Sequence, residues 1–321
     1  MQPPPLRPRF ADVVYPGEAI GHHWLGGRTL VYDTGEVSRY AFSLAVGVMP
    51  AGDGPAWHYH TREEEVFYVL DGEWVFETPA SGEVTLRPGD AINLPAGLPH
   101  RFRNASDSEA RVLLYTTPGG NMQFFLDLSR PLGDPAGDAQ ADPAAFAAAG
   151  RTYGIVMLGS DADAADHVQA FNRGRGPKIV RGGAGGSVDA GDGSLRPLFT
   201  AADTDGRHEA AVLTLPPGGS LPPVRHGAFS AGMYVLSGRV RFTAEFGDAD
   251  FSAGGDRPDV GGLTDRVAGE DAMLLAPFGC AYGVANEGDG PATVLFLSGA
   301  AGLLSDHYLA GRNHPGVLSV S

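Results

Sequence analysis

The stretch "HYHTREEEVFYVLDG", residues 58–72, decides how this chain is read. The chain has ten histidines in 321 residues, and two of them stand here one residue apart, followed closely by three consecutive glutamates. On a β-strand alternate side chains share a face, so His58 and His60 point the same way. The segment "TREE" interrupts that strand, and a new one begins near Glu65, with Phe67 and Val69 on its side. His100 shares a face with Phe102 on a later strand. Two imidazoles, a third from a distant strand, and one carboxylate from Glu63, Glu64 and Glu65 make a four-donor set for a divalent transition metal. Such a set suits Fe, Mn, Ni, Co, Cu or Zn better than calcium or magnesium. The competing reading leaves the two histidines as decoration of a polar turn.

Working outward, residues 28–117 break into short alternating segments separated by turn residues, among them "YAFSLAVGVM", "GEVTLRPGDAINLPAG" and "ARVLLYTT". This spacing predicts an antiparallel sandwich or barrel. Asp142 followed by Pro143 and "AAFAAAG" predicts a helix, with Asp142 as its cap and Gly150 as its terminator. A second helix is expected over "DADAADHVQAF", its early aspartates complementing the positive end of the helix dipole. Residues 134–175 therefore read as a helical connector between a first barrel at 1–133 and a second at 176–321.

The second half repeats the first. "GDGPAWHYHTREEEVFYVLDGEWVF" lies without a gap over "GGSLPPVRHGAFSAGMYVLSGRVRF" at a constant offset of 166 residues. Further on, "PAGLPHRFRN" lies over "PFGCAYGVAN" at an offset of 182, so the second copy carries 182 − 166 = 16 extra residues, around 246–265. The ligand positions fall on Val224, His226, Ala231 and Tyr282 in that copy, too few donors for a tight site. The C-terminal barrel is expected to be metal-free.

Composition narrows the class. The 47 glycines and 25 prolines favour short strands and turns over long helices. A net charge of −15 excludes a nucleic-acid footprint and disfavours an anionic membrane. The single cysteine, Cys280, excludes an intrachain disulfide. No signal-peptide apolar segment and no run of about 18 apolar residues is found, so a cytoplasmic protein is expected. One lysine, Lys178, among 23 basic residues suggests a bacterial genome of high GC content.

The spacing Gly52, five residues, His58, one, His60, four, Glu65, six, Gly72 resembles the first motif of the cupins. The spacing Gly89, five, Pro95, one, Gly97, two, His100, three, Asn104 resembles the second. The two-barrel layout and the stretch "GGNMQFFLDL" are similar to quercetin 2,3-dioxygenase-type bicupins. The resemblance implies an all-β fold of two cupin (jelly-roll) barrels and a metal held by His58, His60, Glu65 and His100. Glu65 alone stands with six residues between it and Gly72; Glu63 is the alternative, and both Glu63 and Glu64 are expected to be solvated. One metal per chain is implied, iron first, then Mn, Ni, Cu, Co or Zn. The implied activity is that of a metal-dependent dioxygenase, with O2 and a hydroxylated aromatic, polyketide or flavonoid-like small molecule as substrates and Glu65 as general base. A redox-neutral isomerase, cyclase or lyase uses the same donors, and a non-enzymatic ligand-binding cupin is a third possibility. Trp57, Tyr59, Phe67, Phe102, Phe124 and Phe125 are the candidate pocket aromatics, with barrel core as their competing role. A monomer or homodimer is expected.

Overall fold

The computed structural model describes residues 10–24, 26–134, 143–171, 175–226, 229–246, 262–300 and 317–319. Apart from three helices, the described elements are strands. They form two compact units, one of Glu18–Glu36 and Tyr40–Gly185, the other of Met1–Gly17, Val37–Arg39 and Gly186–Ser321.

In the N-terminal unit a seven-stranded antiparallel sheet runs in the order Lys178–Val180, Ala91–Leu94, Glu64–Val69, Ala110–Thr117, Ser43–Met49, Gly27–Asp33, Ile20–Trp24. A three-stranded sheet runs Arg101–Asn104, Trp74–Thr78, Gly82–Leu86. Their apolar faces share one core, built around Phe67, Trp74, Phe76, Ile92, Phe102 and Leu114. The central run "SLAVGVM" is buried at every position, which explains why it lacks polar alternation. Gly72 closes the turn before the Trp74–Thr78 strand with φ +75°, and a β-carbon there would collide with Ala110 and with the Ser106 hydroxyl at 2.7 Å. The motif glycine is therefore required by backbone conformation as well as by space.

The C-terminal unit repeats this order with its own strands: Asp12–Val14, Met273–Ala276, Ala231–Ser237, Ala292–Ser298, Glu209–Leu215, Gly193–Phe199, Val188–Ala190. Its second sheet runs Thr264–Ala268, Val240–Ala244, Ala281–Asn286, Ser220–His226, Val317–Ser319. The repeat extends to single hydrogen bonds. The Asn104 amide donates to the carbonyls of Met49 and Ser108, and the Asn286 amide donates to those of Leu215 and Gly290. The 16-residue excess of the second copy falls largely outside the described residues.

Two expectations change. The first concerns the domain bounds. Residues 1–17 belong with the C-terminal unit, where Asp12–Val14 pairs with Met273–Ala276. The connector belongs with the N-terminal unit, where Ile155–Met157 pairs with His58–His60 and Lys178–Val180 with Ala91–Leu94. Sheet edges bind whatever short segment satisfies their N–H and C=O groups, and three-residue strands carry no periodicity to announce it. The second concerns Gly150. The helix runs Pro143–Thr152, past that glycine, and the chain reverses at Gly154 with φ +78°. The second connector helix spans Asp161–Phe171, where it was expected, and the expected cap Asp142 lies outside the described residues.

Candidate metal centre

His58 and His60 lie on a three-residue strand held on one side by Ile155–Met157 and on the other by His100, whose backbone exchanges two hydrogen bonds with His58 at 2.9 and 3.0 Å. Glu65 lies near the start of the Glu64–Val69 strand, opposite Leu94 and Thr116. Strand alternation turns Glu65 and Phe67 inward and Glu64 outward. Donor atoms of His58, His60, Glu65 and His100 all lie within 4.8 Å of one another. All four side chains are buried.

The carboxylate is the focus. Glu65 Oε2 is 2.9 Å from His100 Nε2, 3.3 Å from His60 Nε2 and 3.9 Å from His58 Nε2. The far ring nitrogens of two histidines face the main chain: Nδ1 of His58 meets the Ala56 carbonyl and Nδ1 of His100 the Leu98 carbonyl, each at 2.9 Å. A carbonyl only accepts, so both Nδ1 atoms carry hydrogen and each ring turns its Nε2 to the centre. Burial, followed by the neighbouring His100 ring, pushes the His58 imidazolium down to about 3, so that this ring is neutral at pH 7. Burial opposes charge on His60 too, but Glu65 outweighs it and raises its pKa. Burial likewise opposes charge on Glu65, and His60 and His100 outweigh it, holding the carboxyl well below its usual range. Three convergent imidazole nitrogens and one carboxylate, sealed from water, are a donor set of the kind a divalent transition metal requires. The donor set fits such an ion.

The other sequence candidates separate by face. Phe67 and Phe102 belong to the core beside the group, with ring centroids 4.7 Å apart. Phe124 is buried and Phe125 half-buried on the helix Gln123–Leu128, and both pack edge-on against Trp24. Tyr59 points to the side of its strand opposite the histidines and stacks on His167 at 3.8 Å. Trp57 donates its indole N–H to Asp161 at 2.5 Å and lies beneath the Arg101 guanidinium. Trp57 and Tyr59 therefore anchor the helix Asp161–Phe171 and do not line the site.

Glu63 and Glu64 also depart from expectation, being 3% and 0% exposed rather than solvated. Glu64 is neutralised on the outer face by Arg175 at 2.6 Å and by the Asn93 amide at 2.9 Å. Glu63 lies behind His60, with Oε2 3.9 Å from Nδ1, and burial raises its pKa. Three like charges in sequence look like a solvated turn, and only the strand geometry reveals three different environments.

In the second unit the equivalent positions Val224, His226, Ala231 and Tyr282 are all buried, with the His226 and Tyr282 rings 5.0 Å apart. Cys280 is buried beside them in sequence, and burial pushes its thiol up to about 12, so it remains a thiol.

Comparison with known proteins agrees with this geometry. The Cupin domain family matches residues 45–116, the span that carries all four donors. A relative from Streptomyces cyaneus, "Polyketide synthase CurC", is 33% identical over 116 residues, covering 35% of this chain and 71% of its own length. The chain belongs to the cupin superfamily. Within it the chain is a bicupin. Quercetin 2,3-dioxygenase of Bacillus subtilis (strain 168) is 26% identical over 231 residues, 68% of each chain. Oxalate decarboxylase structures share the fold. That from Bacillus subtilis has a TM-score of 0.62 at 17% identity over 99% of this chain and 82% of its own. That from Lactobacillus farciminis has a TM-score of 0.60 at 14% identity over 98% and 89%. No helix among the described residues is long and apolar enough to cross a membrane.

Proposed function

We propose that this chain is a metal-dependent dioxygenase of quercetinase-like type, acting on a hydroxylated aromatic, polyketide or flavonoid-like molecule. One observation carries the reading: three imidazoles and one carboxylate converge in a barrel whose adjoining interior is aromatic and aliphatic. Among the described residues, the ion pairs of these four side chains are with one another and with Glu63. A dianionic substrate needs cationic partners on entering such a place, whereas a flat phenol or enol presents a single acidic hydroxyl and otherwise apolar surface. His58, His60, Glu65 and His100 would hold the ion. A bound divalent metal, with iron first among Fe, Mn, Ni, Cu, Co and Zn, supplies Lewis acidity that lowers the pKa of a hydroxyl at an open position.

The chain's own residues do the rest. Glu65, held ionised, accepts the hydroxyl proton on its carboxylate. The apolar core around it excludes water from the deprotonated substrate. The test is oxygen consumption by iron- or manganese-loaded protein presented with a panel of flavonols and polyphenols. Uptake of one O2 per substrate consumed supports the reading. Substrate loss with no uptake would favour a redox-neutral cyclase or lyase. That second reading is supported by the names of the polyketide synthase relative and of the decarboxylases that share the fold.

A further inference from the structure

We propose that Glu63 is the positioning residue for His60, accepting a hydrogen bond from its Nδ1 and so committing its Nε2 lone pair to the metal group. The inference rests on the reading of the four residues as metal ligands. Each of the three histidines needs a hydrogen on Nδ1 if Nε2 is to face the centre as a lone pair, and a buried N–H needs an acceptor. His58 and His100 each use the carbonyl two residues earlier in the chain, Ala56 and Leu98. By the same rule His60 would use the carbonyl of His58. It makes no such bond: His60 Nδ1 is buried without a partner, and the His58 carbonyl meets the backbone N–H of His100 at 2.9 Å instead.

The third histidine therefore depends on a side chain. His60 Nδ1 and Glu63 Oε2 are both buried without a hydrogen-bond partner, and they are 3.9 Å apart. A shift of about 1 Å brings them to hydrogen-bonding distance. The other carboxylate oxygen of Glu63 faces Arg62 Nε at 3.3 Å, while the Arg62 side chain is 57% exposed. Arg62 in turn packs on the backbone of Gly154, where a β-carbon would come within 2.9 Å of Nε. The carboxylate is thus tethered on one side and left open toward the imidazole on the other. Carboxylate–imidazole pairs behind a metal ligand fix the ring's tautomer and raise its basicity, and their loss commonly costs 10–100-fold in metal affinity. Two ligands of this group are oriented by main chain that no substitution removes; the third is adjustable.

The experiment measures Co(II) affinity against a competing chelator, and the visible absorption of the bound Co(II), for wild type, Glu63→Ala, Glu63→Gln and His100→Ala. Circular dichroism of each metal-free protein verifies folding. Glu63→Ala is expected to bind roughly 10–100-fold more weakly with an altered Co(II) spectrum. Glu63→Gln, whose amide oxygen still accepts, is expected to recover most of the loss. Equal affinity of wild type and Glu63→Ala would overturn the proposal, as would Glu63→Gln as weak as Glu63→Ala. Nitrogen-15 NMR of the zinc-loaded wild type needs no variant: Nδ1 of His60 should carry hydrogen, and metal on Nδ1 would overturn it. Should wild type take up no Co(II), the metal reading itself fails. Should wild type bind, His100→Ala not bind and Glu63→Ala bind normally, only the role of Glu63 fails.

Discussion

In the proposed reaction Glu65 would have two jobs, and a single substitution separates them. As one ligand of four it can be replaced by an amide and leave three imidazoles to hold the ion; as a base it cannot, because an amide accepts no proton near neutral pH. Glu65→Gln, reloaded with metal, is therefore expected to keep its fold and bind substrate, while turnover falls by about 10²–10⁴-fold. Steady-state rates normalised to bound metal check this, and near-normal turnover would show that the base is another group. The same stretch shows how far sequence reading carries. Spacing and resemblance bring together His58, His60, Glu65 and His100, whose donor atoms lie within 4.8 Å of one another. The fates of Glu63 and Glu64 were not legible, because burial of a charge depends on partners distant in sequence: Arg175 for Glu64, and a ring nitrogen for Glu63.

At the scale of elements, the strand carrying two of the histidines is only three residues long and depends on its neighbours. One neighbour is Ile155–Met157, which enters from Gly154 as the Gly154 carbonyl accepts the Thr61 N–H at 2.7 Å. Gly154→Val must force a β-branched residue to φ +78° and place its Cβ 2.8 Å from the Thr61 hydroxyl. A loss of about 1–3 kcal/mol is expected, with weaker metal binding besides, because the displaced segment abuts His60. Urea denaturation and metal titration of the variant would test both; an unchanged metal affinity would show that the edge strand does not support the site. Nothing in "GIVMLG" betrays this pairing, since three apolar residues suit a helix end or a loop equally well. Trp57 and Tyr59 were misplaced for a related reason. Aromatic character marks burial, and only the direction of the strand says against which side.

Across the whole molecule, the repeat predicts one metal equivalent per chain, with His226→Ala leaving stoichiometry unchanged because Val224 and Ala231 offer no donor. Plasma mass spectrometry of metal-saturated protein checks this, and two equivalents, one of them lost in His226→Ala, would refute it. The C-terminal unit uses its charges differently. Burial raises the Glu245 carboxyl, but Arg225 at 2.6 Å and the Ala281 N–H outweigh it and hold it below its ordinary 4.5. A depressed folded value means stabilisation in full above about pH 5, lost as pH falls through that lower value. Glu245→Gln should be less stable at pH 7 and should show a shallower loss of stability in acid, read from urea midpoints between about pH 7 and 3. The Asp12–Val14 strand has a further consequence, one of timing. Asp12 pairs with Leu275, 275 − 12 = 263 positions later, so it leaves the ribosome long before its partner exists. At roughly 5–20 residues per second the wait is about 13–53 s, and within it the first unit gains its own seventh strand at Lys178–Val180. A nascent chain halted near residue 230 should therefore hold a protease-resistant first barrel with an Asp12–Val14 segment that remains cleavable, and only release of the full chain should make that segment resistant.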